Sequence, residues 1–210
     1  MDVHPPHGGI HSWRDFFVHL VVITLGLLIA LGLEGIVEWG HNRHLVHTAE
    51  ANLTAELQAN RKTLADDLRF LDAAQRQTES DLSILAAVKQ TNHASQELTF
   101  HWTWNGPASA AWDTARNTGA VALMNYESAE KYSDIYGQQA MVAAQSVVYV
   151  RDIYRTASPL EGGHKLGQLK PAELDAMIAN AQQTLVDLKY LRDLSVSLAR
   201  LYQKAPGGDS

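Results

Sequence analysis

The sequence predicts an all-α protein in which one N-terminal transmembrane helix continues into an antiparallel helical bundle of about four helices. Three observations point there. The run FFVHLVVITLGLLIALGLEGIV, residues 16–37, carries only His19 and Glu34 as ionisable side chains. The stretch 41–90 then contains no proline and no glycine, and its leucines recur at seven-residue spacing. Beyond it, two more apolar-periodic stretches begin at helix-start residues, Asn125 and Pro171. With 210 residues, 46% hydrophobic and 19% charged, the chain suffices for a membrane segment and one modest core.

The expected organisation is a stub over 1–15, a transmembrane helix over 16–39, a bundle over 40–204 and a disordered tail over 205–210. At about 1.5 Å per residue the apolar run reaches about 33 Å, close to the thickness of bilayer hydrocarbon. The stub MDVHPPHGGIHSWRD has Arg14 as its only basic side chain and no small-x-small cleavage site. It therefore fits an uncleaved span better than a signal peptide or a buried soluble helix. Arg14 and Arg43 on the two flanks balance each other, so basic residues alone do not orient the span. A short stub before a larger domain is the layout of a signal anchor. That layout predicts the bacterial inner membrane, single-pass, with the N-terminus cytoplasmic and the C-terminal domain periplasmic.

After the span, Leu57, Leu64, Leu71 and Leu85 repeat with Thr78 in the gap, and Leu68 and Leu82 supply the intervening inward positions. This predicts one helix running to about Gln90. Polar Asn60, Arg61 and Gln75 make it a bundle face rather than a strict coiled-coil seam. The segment TNHASQELTFHWTWNGP breaks the pattern; Phe100, Trp102 and Trp104 alternate as in an extended piece and read as an aromatic lid over a helical core. Pro107 is placed to start a second helix, PASAAWDTARNTGAVALM. Asn125 caps a third, to about Thr156, with Tyr132, Tyr136, Val142, Val147, Val150 and Ile153 inward. The glycine-rich loop SPLEGGHKLGQLK follows. Pro171 and Glu173 open a fourth helix, with Leu174, Met177, Leu188, Leu191 and Leu198 among its apolar positions.

Charge and motif content narrow the chemistry. Up to Gly40 there are one basic and four acidic residues, and after it sixteen and nineteen. Neither part has the basic excess that a phosphate backbone attracts, so nucleic acid is not an expected partner. The chain has no cysteine, which excludes disulfides, thiolate nucleophiles and Cys-ligated metals and leaves it indifferent to an oxidising compartment. No H-E-x-x-H, G-x-S-x-G, Walker-type or G-x-G-x-x-G pattern occurs, and no enzymatic activity or cofactor is expected.

What remains lies at the membrane exit. Glu34, Glu38 and His41 share one helix face just where Trp39 marks the interface. They read either as solvated headgroup-level residues or as a ring of acids and histidines at the mouth of an oligomer. His41, His44 and His47, three apart, are candidate ligands for a metal or a proton-sensing site shared between chains. Glu-x-x-His occurs at Glu38–His41 and Glu161–His164, but one copy is at the membrane surface and the other in a glycine loop, which excludes a di-iron bundle core. Gly26 and Ala30 form a small-xxx-small pair, followed by Gly32 and Gly35, that would let two spans approach.

Two blocks carry a family resemblance. HLVVITLGLLIALGLEGIVEWGHNRHLVHTAEANLTAELQANRKTL leads from a span through an acidic turn and Trp39 into an N-L-x-x-E-L-x-x-N helix. SAAWDTARNTGAVALMNYESAEKYSDIYGQQ sets Trp112, Gly119 and Tyr136 at a characteristic spacing. Together, over roughly a third of the chain, they resemble an uncharacterised family of bacterial single-span membrane proteins with an extracytoplasmic helical domain. The resemblance implies that architecture and no activity, catalytic residue or ligand. The expectation is a membrane-anchored helical scaffold or interaction protein, partnered by the lipid bilayer and by its own copies or another membrane protein. The alternatives are an extracytoplasmic ligand or pH sensor acting through a partner, and a small ion-conducting oligomer using Glu34, Glu38 and His41.

Overall fold

The computed structural model describes residues 13–91, 93, 97–100 and 104–205. Among the described residues every regular element is helical: α1 (Trp13–Thr91), α2 (Ala110–Asn117), α3 (Ala120–Leu123), α4 (Tyr126–Ala157) and α5 (Pro171–Gln203), with two short 3-10 turns between α4 and α5. The chain divides into two compact units, 1–48 and 49–210.

In the first unit α1 is long and apolar enough to cross a membrane, and none of its most apolar window is buried. The rings of Trp13, Phe16 and Phe17 cluster at its start with centroids 5.7–6.1 Å apart. Trp39 stands toward the other end with the Arg43 guanidinium 5.4 Å from its ring centroid. Aromatic and basic side chains of this kind favour the headgroup level, where a ring is half in hydrocarbon and half wet. Residues 1–12 of the expected stub lie outside the described residues; Trp13, Arg14 and Asp15 are already helical, so the helix starts earlier than the apolar run alone predicts.

In the second unit the remainder of α1 packs with α4 and α5. Hydrogen bonds and ion pairs set the directions. Arg61 donates to the Tyr202 carbonyl, Arg192 to Asp72 and Lys89 to Asp175, so α5 runs opposite to α1. Gln138 reaches Leu194 and Gln145 reaches Asp187, so α5 also runs opposite to α4. Tyr136 reaches back to Glu56, near the start of this part of α1. The core holds Leu53, Leu57, Leu64, Leu71 and Leu85 of α1, Tyr132, Ile135, Val142 and Tyr149 of α4, and Met177, Leu188, Leu191 and Leu198 of α5. Each such side chain is worth roughly 1.5–3 kcal/mol of apolar burial.

The seven-residue repeat of α1 holds, but its intervening positions are not the expected ones. Leu68 and Leu82 are only half-buried; the inward sites are Asn60, Asp67 and Asp81, at 2%, 2% and 6% exposure. Two of these explain the connection to α4. Asn60 accepts from the Ala108 N–H and donates to the Ala108 carbonyl, both at 2.8 Å. Asp67 accepts from the N–H groups of Asn105 and Gly106 at 3.5 and 3.3 Å. Glu56 accepts from the Ala111 N–H at 2.9 Å and from the Tyr136 hydroxyl at 2.7 Å. Residues 104–109 are thus non-helical and lie along α1, with backbone groups of Asn105, Gly106 and Ala108 bonded to its buried polar side chains.

The helix expected from Pro107 is therefore replaced by this non-helical stretch and two short helices. Both backbone groups of Ala108 are committed to Asn60, so they do not join a helical ladder, and Gly119 at φ +78° parts α2 from α3. The other helix starts follow the sequence. The Asn125 side chain accepts from the Ser128 N–H at 2.8 Å, and Glu173 accepts from the Lys170 N–H at 2.8 Å with Pro171 in the first helical position. In α4, Val147 is 68% exposed and Tyr149 takes the inward place expected of it. Of the expected tail, Ala205 is buried rather than disordered, and 206–210 lie outside the described residues.

Candidate functional site: a cavity between the long helices

Within the second unit a cavity of about 260 Å³ opens between α1, α4, α5 and residues 98–100. Its apolar walls include Phe70, Leu85, Leu98, Phe100 and Ile153. The aromatic lid read from the sequence is present here in part: Phe100 is half-buried and packs on the cluster of Leu85, Val88, Leu166, Leu174, Met177 and Ala181. Trp102 lies outside the described residues. Trp104 is half-buried, its indole Nε1 3.1 Å from where a Cβ on Gly106 would sit.

The polar groups of this cavity converge from three helices. From α1 come Gln77, Thr78 and Asp81, from α4 Tyr149 and Thr156, from α5 Thr184. Asp81 Oδ1 accepts from Gln77 Nε2 at 2.9 Å. Burial out of water raises the Asp81 carboxyl above its usual value, a push that the Gln77 hydrogen bond opposes. The Tyr149 phenol is pushed up to about 12 by burial, so it stays neutral. Thr78, Thr156 and Thr184 each donate to a carbonyl one turn earlier on their own helix, at 2.8–2.9 Å. The hydroxyls of Thr156 and Thr184 also lie 3.1 Å apart. Among the described residues no lysine, arginine or histidine lines the cavity.

Asp67 behaves differently from Asp81 although both sit in the same repeat. Its carboxyl is also raised by burial, but the N–H groups of Asn105 and Gly106 hold the charged form against that push. Asp67 anchors backbone; Asp81 faces a cavity. Beside Glu56, which accepts the Tyr136 hydroxyl, Trp112 stacks on Tyr136 with centroids 5.1 Å apart and planes 4° from parallel. That contact explains two of the three residues in the second family-like block as packing.

The residues singled out at the membrane exit lie in the first unit. Glu34, Glu38, Trp39, His41, His44 and His47 are all exposed on α1. Among the described residues no three His, Cys, Asp or Glu side chains gather to hold a metal ion. His41, His44 and His47 therefore do not form a ligand set within one chain. Three-residue steps drift about 60° each around a helix, so the first and last point about 120° apart. Gly26 and Ala30 are exposed, and nothing lies within 4 Å of where a Cβ on Gly26 would be. Glu161, of the second Glu-x-x-His, has non-helical backbone angles, and both it and His164 are exposed.

Asp81, Gln77, Tyr149, Thr156 and Thr184 were not among the sequence-derived candidates. The available signal was Asp81 three after Thr78 and four before Leu85, on the same stripe as the leucines. The chain matches no family model, no curated protein and no solved structure.

Proposed function

We propose that this protein is a membrane-anchored, non-catalytic binding module whose helical domain takes a small ligand in the α1–α4–α5 cavity. The observation that carries the reading is the cavity itself, an apolar space into which polar groups converge from three helices. Pockets of that composition are where small molecules gain both buried area and orientation. At about 260 Å³ it lies just below the ~300–1,000 Å³ of drug-sized sites, so the ligand is small. The domain that houses it is read as a variant of the four-helix antiparallel bundle, with the non-helical stretch and α2 in the place of one helix. The reading puts the sensor function ahead of a plain scaffold. It keeps the single-pass inner-membrane anchor, the periplasmic domain, and membership of the single-span family that the two sequence blocks resemble.

A ligand-dependent shift in stability tests it. At a hundred times Kd a ligand adds about 2.7 kcal/mol, which at about 2–4 °C per kcal/mol raises Tm by roughly 5–11 °C. A screen of small apolar compounds on the full-length protein in detergent should yield such shifts. Ala73→Trp, placed on the exposed rim of the cavity, should remove them without unfolding the domain. Absence of any shift, or shifts indifferent to Ala73→Trp, would refute the proposal.

A second reading, self-association through the span, rests on the small residues Gly26, Ala30, Gly32 and Gly35, which would let two helices approach. It brings the Glu34, Glu38 and His41 faces of several chains together, and only there do the histidines become a shared site. Gly26→Leu should lower the subunit number seen in native mass spectrometry; an unchanged number would sink this reading.

A further inference from the structure

We propose that the ligand of the α1–α4–α5 cavity is a compact organic cation, a primary ammonium on a small apolar body, paired with the carboxylate of Asp81. This rests on the cavity being a binding site and specifies what it binds.

The argument is one of donors and acceptors. Asp81 is 6% exposed and takes one hydrogen bond, from Gln77, at Oδ1. Among the described residues no cation reaches it, and no basic side chain lines the cavity. The carboxyl therefore carries a desolvation cost that the Gln77 hydrogen bond offsets only in part, with no counter-charge beside it among the described residues. The threonine hydroxyls around it are already committed as donors, and Tyr149 is the lining hydroxyl whose phenolic proton is retained at neutral pH. Thr78 gives its proton to the Ala74 carbonyl, Thr156 to Asp152 and Thr184 to Asn180, which leaves their lone pairs toward the cavity. Because each hydroxyl has a single proton, the 3.1 Å contact between Thr156 and Thr184 draws on a proton already shared with a carbonyl. The polar lining is thus rich in acceptors. An ammonium group brings three donors and the missing positive charge.

The rest of the ligand follows from the walls. Phe70, Leu85, Leu98, Phe100 and Ile153 accommodate an apolar body, and the aromatic rings tolerate a nearby cation at their faces. Tyr149 stays a neutral phenol, so among the described residues lining the cavity Asp81 is the one that can carry charge at neutral pH. An anionic ligand would meet this carboxylate with no counter-charge, and a neutral alcohol would leave it unpaired.

The test titrates the full-length protein in detergent at pH 7.5, by calorimetry, with primary amines bearing phenyl, cyclohexyl and hexyl bodies, each beside the alcohol of the same skeleton. The expected result is at least tenfold tighter binding of an amine than of its alcohol. Asp81→Asn should erase that preference while the variant keeps its helical circular dichroism and melts no lower than the parent. Ala73→Trp should block both compounds. Amine and alcohol binding equally, with both blocked by Ala73→Trp, would overturn the cationic ligand and leave the cavity as a binding site. Amine binding that survives Asp81→Asn unchanged would overturn the pairing. If no compound of either set binds, both this inference and the binding-module reading fall.

Discussion

Replacing Asn60 tests whether buried polar side chains of α1 set the path of the chain between the long helices. Asn60 is 2% exposed and makes two hydrogen bonds of 2.8 Å to the backbone N–H and carbonyl of one residue, Ala108. A net hydrogen bond contributes about 1 kcal/mol, so Asn60→Ala loses about 2 kcal/mol from the pair. Ala108 is itself exposed, so water reaches its freed groups after a small movement and the larger penalty of an orphaned buried amide does not apply in full. At roughly 2–4 °C per kcal/mol the domain should melt about 4–8 °C lower. Asn60→Asp refines the test. A protonated carboxyl donates and accepts as the amide does, whereas a carboxylate turns its second oxygen against the Ala108 carbonyl. The Asp variant should therefore approach the parent near pH 4 and fall behind it at pH 7 and above. The measurements are thermal melts of the full-length protein in detergent, with exchange of the amide hydrogen at Ala108 as the local readout. If Asn60→Ala costs less than about 0.5 kcal/mol and leaves that exchange unchanged, the fork between helix and non-helical stretch does not hold the chain.

Further substitutions probe other parts of the same architecture. Burial raises the Asp81 carboxyl above its usual value, so the folded state keeps a proton that the unfolded chain has already released. Its contribution to stability is present at low pH and is lost as pH rises through the raised value, so Asp81→Asn should raise Tm at pH 7 and flatten the decline from acid to neutral pH. Gly119→Ala should cost about 1 kcal/mol in denaturant melts, because its φ of +78° strains any side chain while the space around its Cβ position is open. Gly119→Asn should cost less. Tyr136→Phe should lower stability by roughly 1–3 kcal/mol, since it removes the donor to Glu56 and keeps the ring stacked on Trp112. Neutralising exposed Lys89 or Asp175 should change stability by less than about 1 kcal/mol.

The parts of this fold that were legible in the sequence are those written in local terms. An apolar run of membrane length, an Asn cap before α4 and a Pro-x-Glu start before α5 each act within a few residues, and all three hold. The second helix differs from the sequence expectation because Pro107 has a favourable local reading, while the interaction that overrides it ties Ala108 to Asn60, 48 positions away. Nothing within 104–109 announces that its backbone is claimed by another element. The inward row of α1 was misassigned for a related reason. Leu68 and Leu82 are the apolar choice at each turn, and hydrophobic pattern alone prefers them to Asn60, Asp67 and Asp81. Yet the leucines at 57, 64, 71 and 85 already fix the phase of the helix, and the residues three after or four before them are the polar ones. A strict geometric reading of the repeat selects the polar residues; a reading by hydrophobicity discards them.

That row bears on what lines the cavity. A buried acid or amide on a helix finds its partners in side chains one turn away or in groups outside that helix, because the ladder of α1 uses its own backbone groups. Asn60 and Asp67 meet the demand with backbone groups of Asn105, Gly106 and Ala108, and doing so keeps that stretch out of a helix. Asp81 comes further along the same stripe, beside residues 98–100, where no described backbone N–H reaches its carboxylate. The third polar residue of the row therefore lines the cavity between α1, α4 and α5, where among the described residues no partner of opposite charge reaches it, while the first two spend their hydrogen bonds on backbone.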